Sequence, residues 1–236
     1  MNDRFGRTIT YLRLSLTERC TLKCTYCRAA EGDCPKKSEL TREELLRITR
    51  AFAEIGVNKV RLTGGRTHAA ARSAADHRRY PRDTADSGIT MTTNGQHLPG
   101  QSTALKAAGL DRLNISVDSL KPEKFAAITG GGSLERVLTG IDEAFAAGFP
   151  SVKLNVVLLR GVNDDETQDF IELTRDRNIQ VRFIEYMPLG DTDRAELRIT
   201  GNELLQKYPQ LVEVRPSYKG SPRGTIRCPV TSARSV

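Results

Sequence analysis

The stretch Tyr11-Leu12-Arg13-Leu14-Ser15-Leu16-Thr17-Glu18-Arg19-Cys20-Thr21-Leu22-Lys23-Cys24-Thr25-Tyr26-Cys27 sets the frame for the whole chain. Its first half reads as a strand over residues 9–17, with Ile9, Tyr11, Leu12, Leu14 and Leu16 apolar in an extended run. Its second half is a loop that carries three cysteines in a CxxxCxxC spacing. A strand delivering a loop of soft ligands is the start of a site, so the question is what repeats behind it.

Strand and helix signals alternate onward from there. Thr41-Arg42-Glu43-Glu44 is a capping box before a 3.6-period run of Leu45, Ile48, Phe52 and Ile55, and Gly56 ends it. Residues 60–63 read as a strand ending in Gly64-Gly65, residues 89–93 as one ending in Asn94-Gly95, and residues 113–117 as one ending at Asp118. A short helix closes at Gly109, and a helix over 134–147 closes at Gly148. Residues 152–159 and 181–186 complete six strands, with a helix capped by Asp164 and running through Arg177 between them. Alternation of this kind predicts an α/β fold with parallel strands, a partial (βα)6 TIM-like barrel. In such barrels the chemistry sits in loops after the strand ends. The cysteines, Gly64-Gly65, Asn94-Gly95, Asp118, Gly161 and Met187 all follow strands.

Length and charge narrow the class. A chain of 236 residues suits one sizeable domain and needs no disulfide or metal staple to bury a core. No apolar run reaches the roughly 18 residues of a membrane span, and no signal peptide is evident, so the expectation is a cytoplasmic protein without a membrane partner. The net charge of +7 raises nucleic acid as a partner. Residues 66–88 carry five Arg against three Asp, and residues 216–236 carry four basic residues and no acid, so the remainder holds +1. Charge concentrated in two stretches without a stacking motif argues against nucleic-acid binding.

The five cysteines are Cys20, Cys24, Cys27, Cys34 and Cys228. Two readings share the clustered three. A [4Fe–4S] cluster normally takes four Cys, and three leave one iron open, as a catalytic site requires. A structural zinc site would use Cys34 as its fourth ligand, although zinc hooks usually lie farther apart in sequence. The preceding strand and the barrel pattern favour the cluster and leave Cys34 and Cys228 as spare thiols. Arg13, Arg61, Lys153 and Arg182 lie inside apolar strand runs, where a lone charge is costly. Four cations aimed into one barrel mouth call for an anion, and a triphosphate suits them.

The chain resembles the radical S-adenosylmethionine (SAM) superfamily in CxxxCxxC after the first strand, with Tyr26 before the third cysteine. Within it, Asp3 to Arg7, Tyr11 to Ser15, Arg61 to Gly65, Thr92 to Gly95, Asn114 to Asp118, Val152 to Asn155 and Arg182 to Met187 resemble the GTP 3′,8-cyclase family. The resemblance covers residues 3–65 and 89–226. It implies a lyase of the first step of molybdenum-cofactor synthesis. Cys20, Cys24 and Cys27 would bind one [4Fe–4S] cluster. Tyr26, Gly65, Ser116 and Met187 would contact SAM. Arg13, Arg61, Thr92 and Lys153 would contact GTP, with Arg182 as an addition. A one-electron reductant would cleave SAM to a 5′-deoxyadenosyl radical that takes a ribose hydrogen from GTP.

Three departures qualify this. The superfamily has Glu-Pro after Gly-Gly, and here Arg66-Thr67 follows Gly65. Residues 66–88 lack the apolar period of a crossover helix, and a one-base frameshift with suitable codons restores Gly-Gly-Glu-Pro. Residues 216–236 are expected to be a truncated, disordered tail after a barrel over 1–215. The family's second cluster region and its Gly-Gly end are expected to be missing. An alternative to the active cyclase is therefore an inactive remnant that at most binds a cluster.

Overall fold

The computed structural model describes residues 3–6, 8–17, 19–27, 40–64, 88–187, 194–213 and 226–227. The expectations placed on Gly65, Cys34, Cys228, residues 66–87 and most of 216–236 lie outside them. The chain divides into two compact units. The first comprises Met1–Thr21, Glu31–Asn114 and Arg136–Pro150; the second comprises Leu22–Ala30, Ile115–Glu135 and Ser151–Val236.

In the first unit, strands β1 (Tyr11–Ser15), β2 (Lys59–Thr63), β3 (Gly88–Thr93) and the start of β4 (Arg112–Ser116) lie in that order. β1 and β2 are parallel, as are β2 and β3. Alternation sorts their side chains. Val60, Leu62 and Met91 are fully buried on one face, whereas Lys59, Arg61 and Thr63 alternate on the other and stay half-buried. Helix α1 (Arg42–Glu54) follows β1, and both halves of its capping box form: Glu44 N–H donates to Thr41 Oγ1 at 3.2 Å and Thr41 N–H to Glu44 Oε2 at 2.8 Å. Helix α2 (Ser102–Ala107) leads into β4. Gly140, a residue of α4 (Leu134–Ala146), lies tight against Leu98: a Cβ there would meet the Leu98 Cβ at 2.8 Å.

In the second unit the order is β4, β5 (Val152–Leu158), β6 (Ile179–Glu185), β8 (Ile226–Arg227) and β7 (Val212–Glu213). β5 and β6 are parallel over seven pairs from Val152↔Ile179 to Leu158↔Glu185, and β8 runs antiparallel to both β6 and β7. Two residues of the expected tail, Ile226–Arg227, therefore sit in a sheet. Helix α5 (Thr167–Asp176) packs Phe170 edge-on to Phe183 of β6, ring centres 6.2 Å apart. Helix α6 (Gly201–Lys207) opens with its own capping box at Thr200 and Glu203.

Two details depart from the sequence reading. Asp164 does not cap a helix. It opens a 3-10 turn, Asp164–Glu166, and its carboxylate accepts from Gly161 N–H at 2.8 Å. The α-helix starts only after Glu166, because that side chain turns inward and is fully buried as an acceptor. A helix the periodicity did not suggest, α3 (Pro122–Thr129), follows β4; Pro122 opens it and Gly130 ends it at φ +69°.

Candidate functional site

The cysteine loop is held by α3. A helix C-terminus leaves its last carbonyls without intrahelical partners. Here Thr25 N–H donates to Ile128 O at 2.9 Å and Lys23 N–H to Thr129 O at 3.0 Å, and Cys27 N–H closes a turn onto Cys24 O at 2.9 Å. The approach is close enough to exclude side chains. A Cβ at Gly130 would stand 2.8 Å from Lys23 O, and one at Gly132 would stand 3.1 Å from Leu22 Cδ2. Cys24 is half-buried and Cys27 exposed, and neither is in a disulfide.

Tyr26, between them, reaches inward. Its hydroxyl donates to Asp118 Oδ2 at 2.6 Å, and Asp118 Oδ1 accepts from Val157 N–H at 2.9 Å. Asp118 is 2% exposed. Burial pushes its carboxyl up to about 6, against the pull of the Tyr26 and Val157 hydrogen bonds. The Tyr26 phenol is driven upward, first by burial and then by the Asp118 charge. Behind this pair, the fully buried Asn163 donates to Asp118 O at 2.6 Å and accepts from Leu159 N–H at 2.8 Å. Neither Asn163 nor the end of α3 had a local sequence signal as a support for the loop.

Cys20 belongs to the first unit, exposed and not in a disulfide. Asn94, just past β3, lies beside it: its Nδ2 donates to Thr21 Oγ1 at 3.0 Å and stands 3.7 Å from the Cys20 sulfur. Amide donors near sulfur stabilise the thiolate form that binds metals. Three reduced thiols within eight residues are the donor chemistry of an iron–sulfur cluster, and in that respect the residues fit one. Among the described residues, however, no three His, Cys, Asp or Glu side chains are gathered closely enough to hold a metal ion.

The predicted anion-binding residues divide between the units. Arg13 and Arg61 are register partners on β1 and β2, and the Arg61 guanidinium lies over the Tyr11 ring at 5.5 Å. Thr92 is half-buried on β3. Lys153 and Arg182 are half-buried on β5 and β6, opposite Gln180 and Asn155. None of the four cations is buried with the core, since Arg13 is exposed and the others alternate away from it. The cost that an apolar strand imposes on a charge is therefore smaller than the sequence reading implied. Ser116 ends β4 half-buried, and Met187 is exposed just beyond β6. Among the described strand residues, two have buried polar atoms without hydrogen-bond partners: Arg61 at Nε, and Asn114 at both ends of its carboxamide. Asn114 was absent from the predicted set, although its spacing from Ser116 and Asp118 carries the same alternation.

The Radical SAM superfamily pattern matches residues 14–174. A solved structure described as native anSMEcpe with bound AdoMet superposes with a TM-score of 0.62 over 82% of this chain and 56% of that one, at 14% identity. At that identity the likeness speaks for the fold, which is the partial TIM-like barrel of the radical SAM proteins. The GTP 3′,8-cyclase of Peptoclostridium acidaminophilum is 44% identical over 233 residues, 96% of this chain and 71% of the relative. That of Geobacter sulfurreducens is 45% identical over 228 residues, 95% of this chain and 70% of the relative. The chain belongs to the GTP 3′,8-cyclase family of enzymes within the radical SAM superfamily.

Proposed function

We propose that this chain binds a [4Fe–4S] cluster, SAM and GTP, and rearranges GTP in the first step of molybdenum-cofactor synthesis. When bound and reduced, the cluster supplies the electron that cleaves SAM to the radical that takes a hydrogen from the GTP ribose. Cys20, Cys24 and Cys27 are assigned to the cluster. Tyr26, Gly65, Ser116 and Met187 are assigned to SAM. Arg13, Arg61 and Thr92 of the first unit are assigned to GTP, and so is Lys153 of the second, with Arg182 as an addition. Thiols outside any disulfide suit a reducing, cytoplasmic setting.

The observation that carries the reading is the pairing of Arg13 with Arg61 on the polar face of β1 and β2. Like charges in adjacent register positions destabilise a sheet on their own. An anion with several oxygens removes that cost, and guanidinium forks match phosphate oxygens in pairs. Anaerobic reconstitution of the chain, EPR with and without SAM, and then detection of the cyclised GTP product test the assignment in sequence.

A second reading retains the family and drops turnover. One observation favours it: Arg66-Thr67 stands where the superfamily has Glu-Pro. A cation at position 66 would repel the SAM ammonium that a carboxylate attracts. Arg66→Glu with Thr67→Pro should then raise SAM affinity about tenfold or more, the scale of a charge-assisted hydrogen bond. Unchanged affinity would count against this second reading.

A further inference from the structure

Asp118 is used by more partners than a loop residue after a strand requires. Both carboxylate oxygens and its main-chain oxygen are engaged, by Tyr26, Val157 and Asn163 respectively. Asn163 in turn donates to Val157 O at 2.9 Å, so Asp118 is tied to the end of β5 twice, by its main-chain oxygen through Asn163 and by its carboxylate directly. On that side the residue cannot shift without exposing buried polar groups. The other oxygen reaches out to a single group, the Tyr26 hydroxyl, one residue before Cys27 and two after Cys24. If packing alone fixed that ring, a phenylalanine would serve. The hydroxyl adds a short hydrogen bond to a buried carboxylate, a strong and directional kind.

We propose that Asp118 is a positioning residue: by holding the Tyr26 hydroxyl it fixes the Cys24–Cys27 turn in the orientation in which its thiols and ring meet their ligands. The main-chain bonds of Lys23 and Thr25 to α3 pin the base of the loop. The Tyr26 phenol attaches the turn itself to Asp118. What the turn presents its groups to rests on the function proposed above; the attachment itself does not.

The test uses Tyr26→Phe, Asp118→Asn and the double variant of the full chain. In the metal-free protein, amide hydrogen exchange is followed at Cys27, Thr25 and Lys23. In the reconstituted protein, iron content and the EPR shift on adding SAM are followed. Tyr26→Phe should leave iron content near that of the parent, speed Cys27 exchange by roughly tenfold or more, and weaken the SAM-dependent shift. In Asp118→Asn the amide oxygen can still accept from Val157 N–H and the amide NH2 can donate to the Tyr26 oxygen, so the charge-assisted bond is replaced by a neutral one and the variant should act in the same direction but more weakly. The double variant should be no worse than the more affected single one. Parent-like exchange and EPR in Tyr26→Phe, or effects that add in the double variant, would overturn the proposal. If Asp118→Asn does not fold, Tyr26→Phe decides alone. A parent chain that takes up no cluster would sink the proposed function, and the exchange measurement would still judge the attachment.

Discussion

Arg13 and Arg61 are direct register partners on neighbouring parallel strands, two cations side by side on one polar face. Nothing about strand propensity favours this. Each is flanked by apolar residues that face the core, Leu14 beside Arg13 and Val60 and Leu62 beside Arg61. The pair is therefore a cost to the fold that a ligand can offset.

That cost makes opposite predictions for binding and stability. Arg61→Met should weaken GTP binding by roughly 10- to 100-fold, the range for losing a hydrogen bond to a charged group. It should leave the ligand-free melting temperature unchanged or slightly raised, because like-charge repulsion in a sheet is worth roughly 0.2–1 kcal/mol. Calorimetric titration and thermal melting check both, and undiminished GTP affinity would remove Arg61 from the site.

Gly130 should tolerate no side chain. Its φ of +69° is in the left-handed region, and an added Cβ would stand 2.8 Å from the Lys23 carbonyl. Gly130→Ala should cost roughly 1–2 kcal/mol from backbone conformation alone and displace the cysteine loop from α3. Iron uptake on reconstitution should fall with stability. Normal uptake at reduced stability would separate the loop's position from its function.

Glu166 is fully buried and accepts from Ser119 Oγ at 2.9 Å and Leu120 N–H at 2.7 Å, with Lys124 Nζ at 3.1 Å. Removing one partner of such a network strands the others. Lys124 keeps Asp165 at 2.6 Å and is partly exposed, which limits the loss. Glu166→Ala should therefore destabilise by roughly 2–3 kcal/mol, read as a lower urea midpoint. A change under about 1 kcal/mol, the size of an ordinary surface effect, would mean that water takes over the stranded donors.

Stability should fall as pH rises from 3.8 to about 6. Burial raises the Asp118 carboxyl from 3.8 to about 6, so between those values the folded chain holds a proton that the unfolded chain has lost. The contribution is present below 3.8 and is lost as pH passes about 6, on the order of 2–3 kcal/mol. Asp165 acts in the other direction: hydrogen bonds from Lys121 and Lys124 lower it to about 2, so its contribution is present above 3.8 and is lost as pH falls to about 2. Urea midpoints across pH 3 to 7 (on the order of the window just given) should show the Asp118 slope, and Asp118→Asn should flatten it. A parent profile without that slope would mean that Asp118 stays charged in the fold.

Local signals were legible in the sequence where periodicity and caps are strong. The Thr41–Glu44 box predicted α1, and both of its hydrogen bonds form. The same signal at Thr200 and Glu203 precedes α6, a helix absent from the sequence expectations, whose seven residues carry little period. β8 has two residues and no period to detect. Asp164 looked like a cap, but the burial of Glu166 two residues later moved the helix start. Of the candidate site, the cysteines and strand cations were visible as residue types, whereas the supports of the cysteine loop were not.

By itself the sequence determined what the chain could offer: three thiols on one loop, and cations at alternate positions of apolar strands. Those are covalent spacings and strand parity, which any short window carries. Only the tertiary structure decided what each of them meets. Tyr26 and Asp118 are 92 residues apart, and Lys23 rests on a glycine more than a hundred positions away. Such contacts depend on which strand ends the closing chain brings to one place, and no local pattern encodes that.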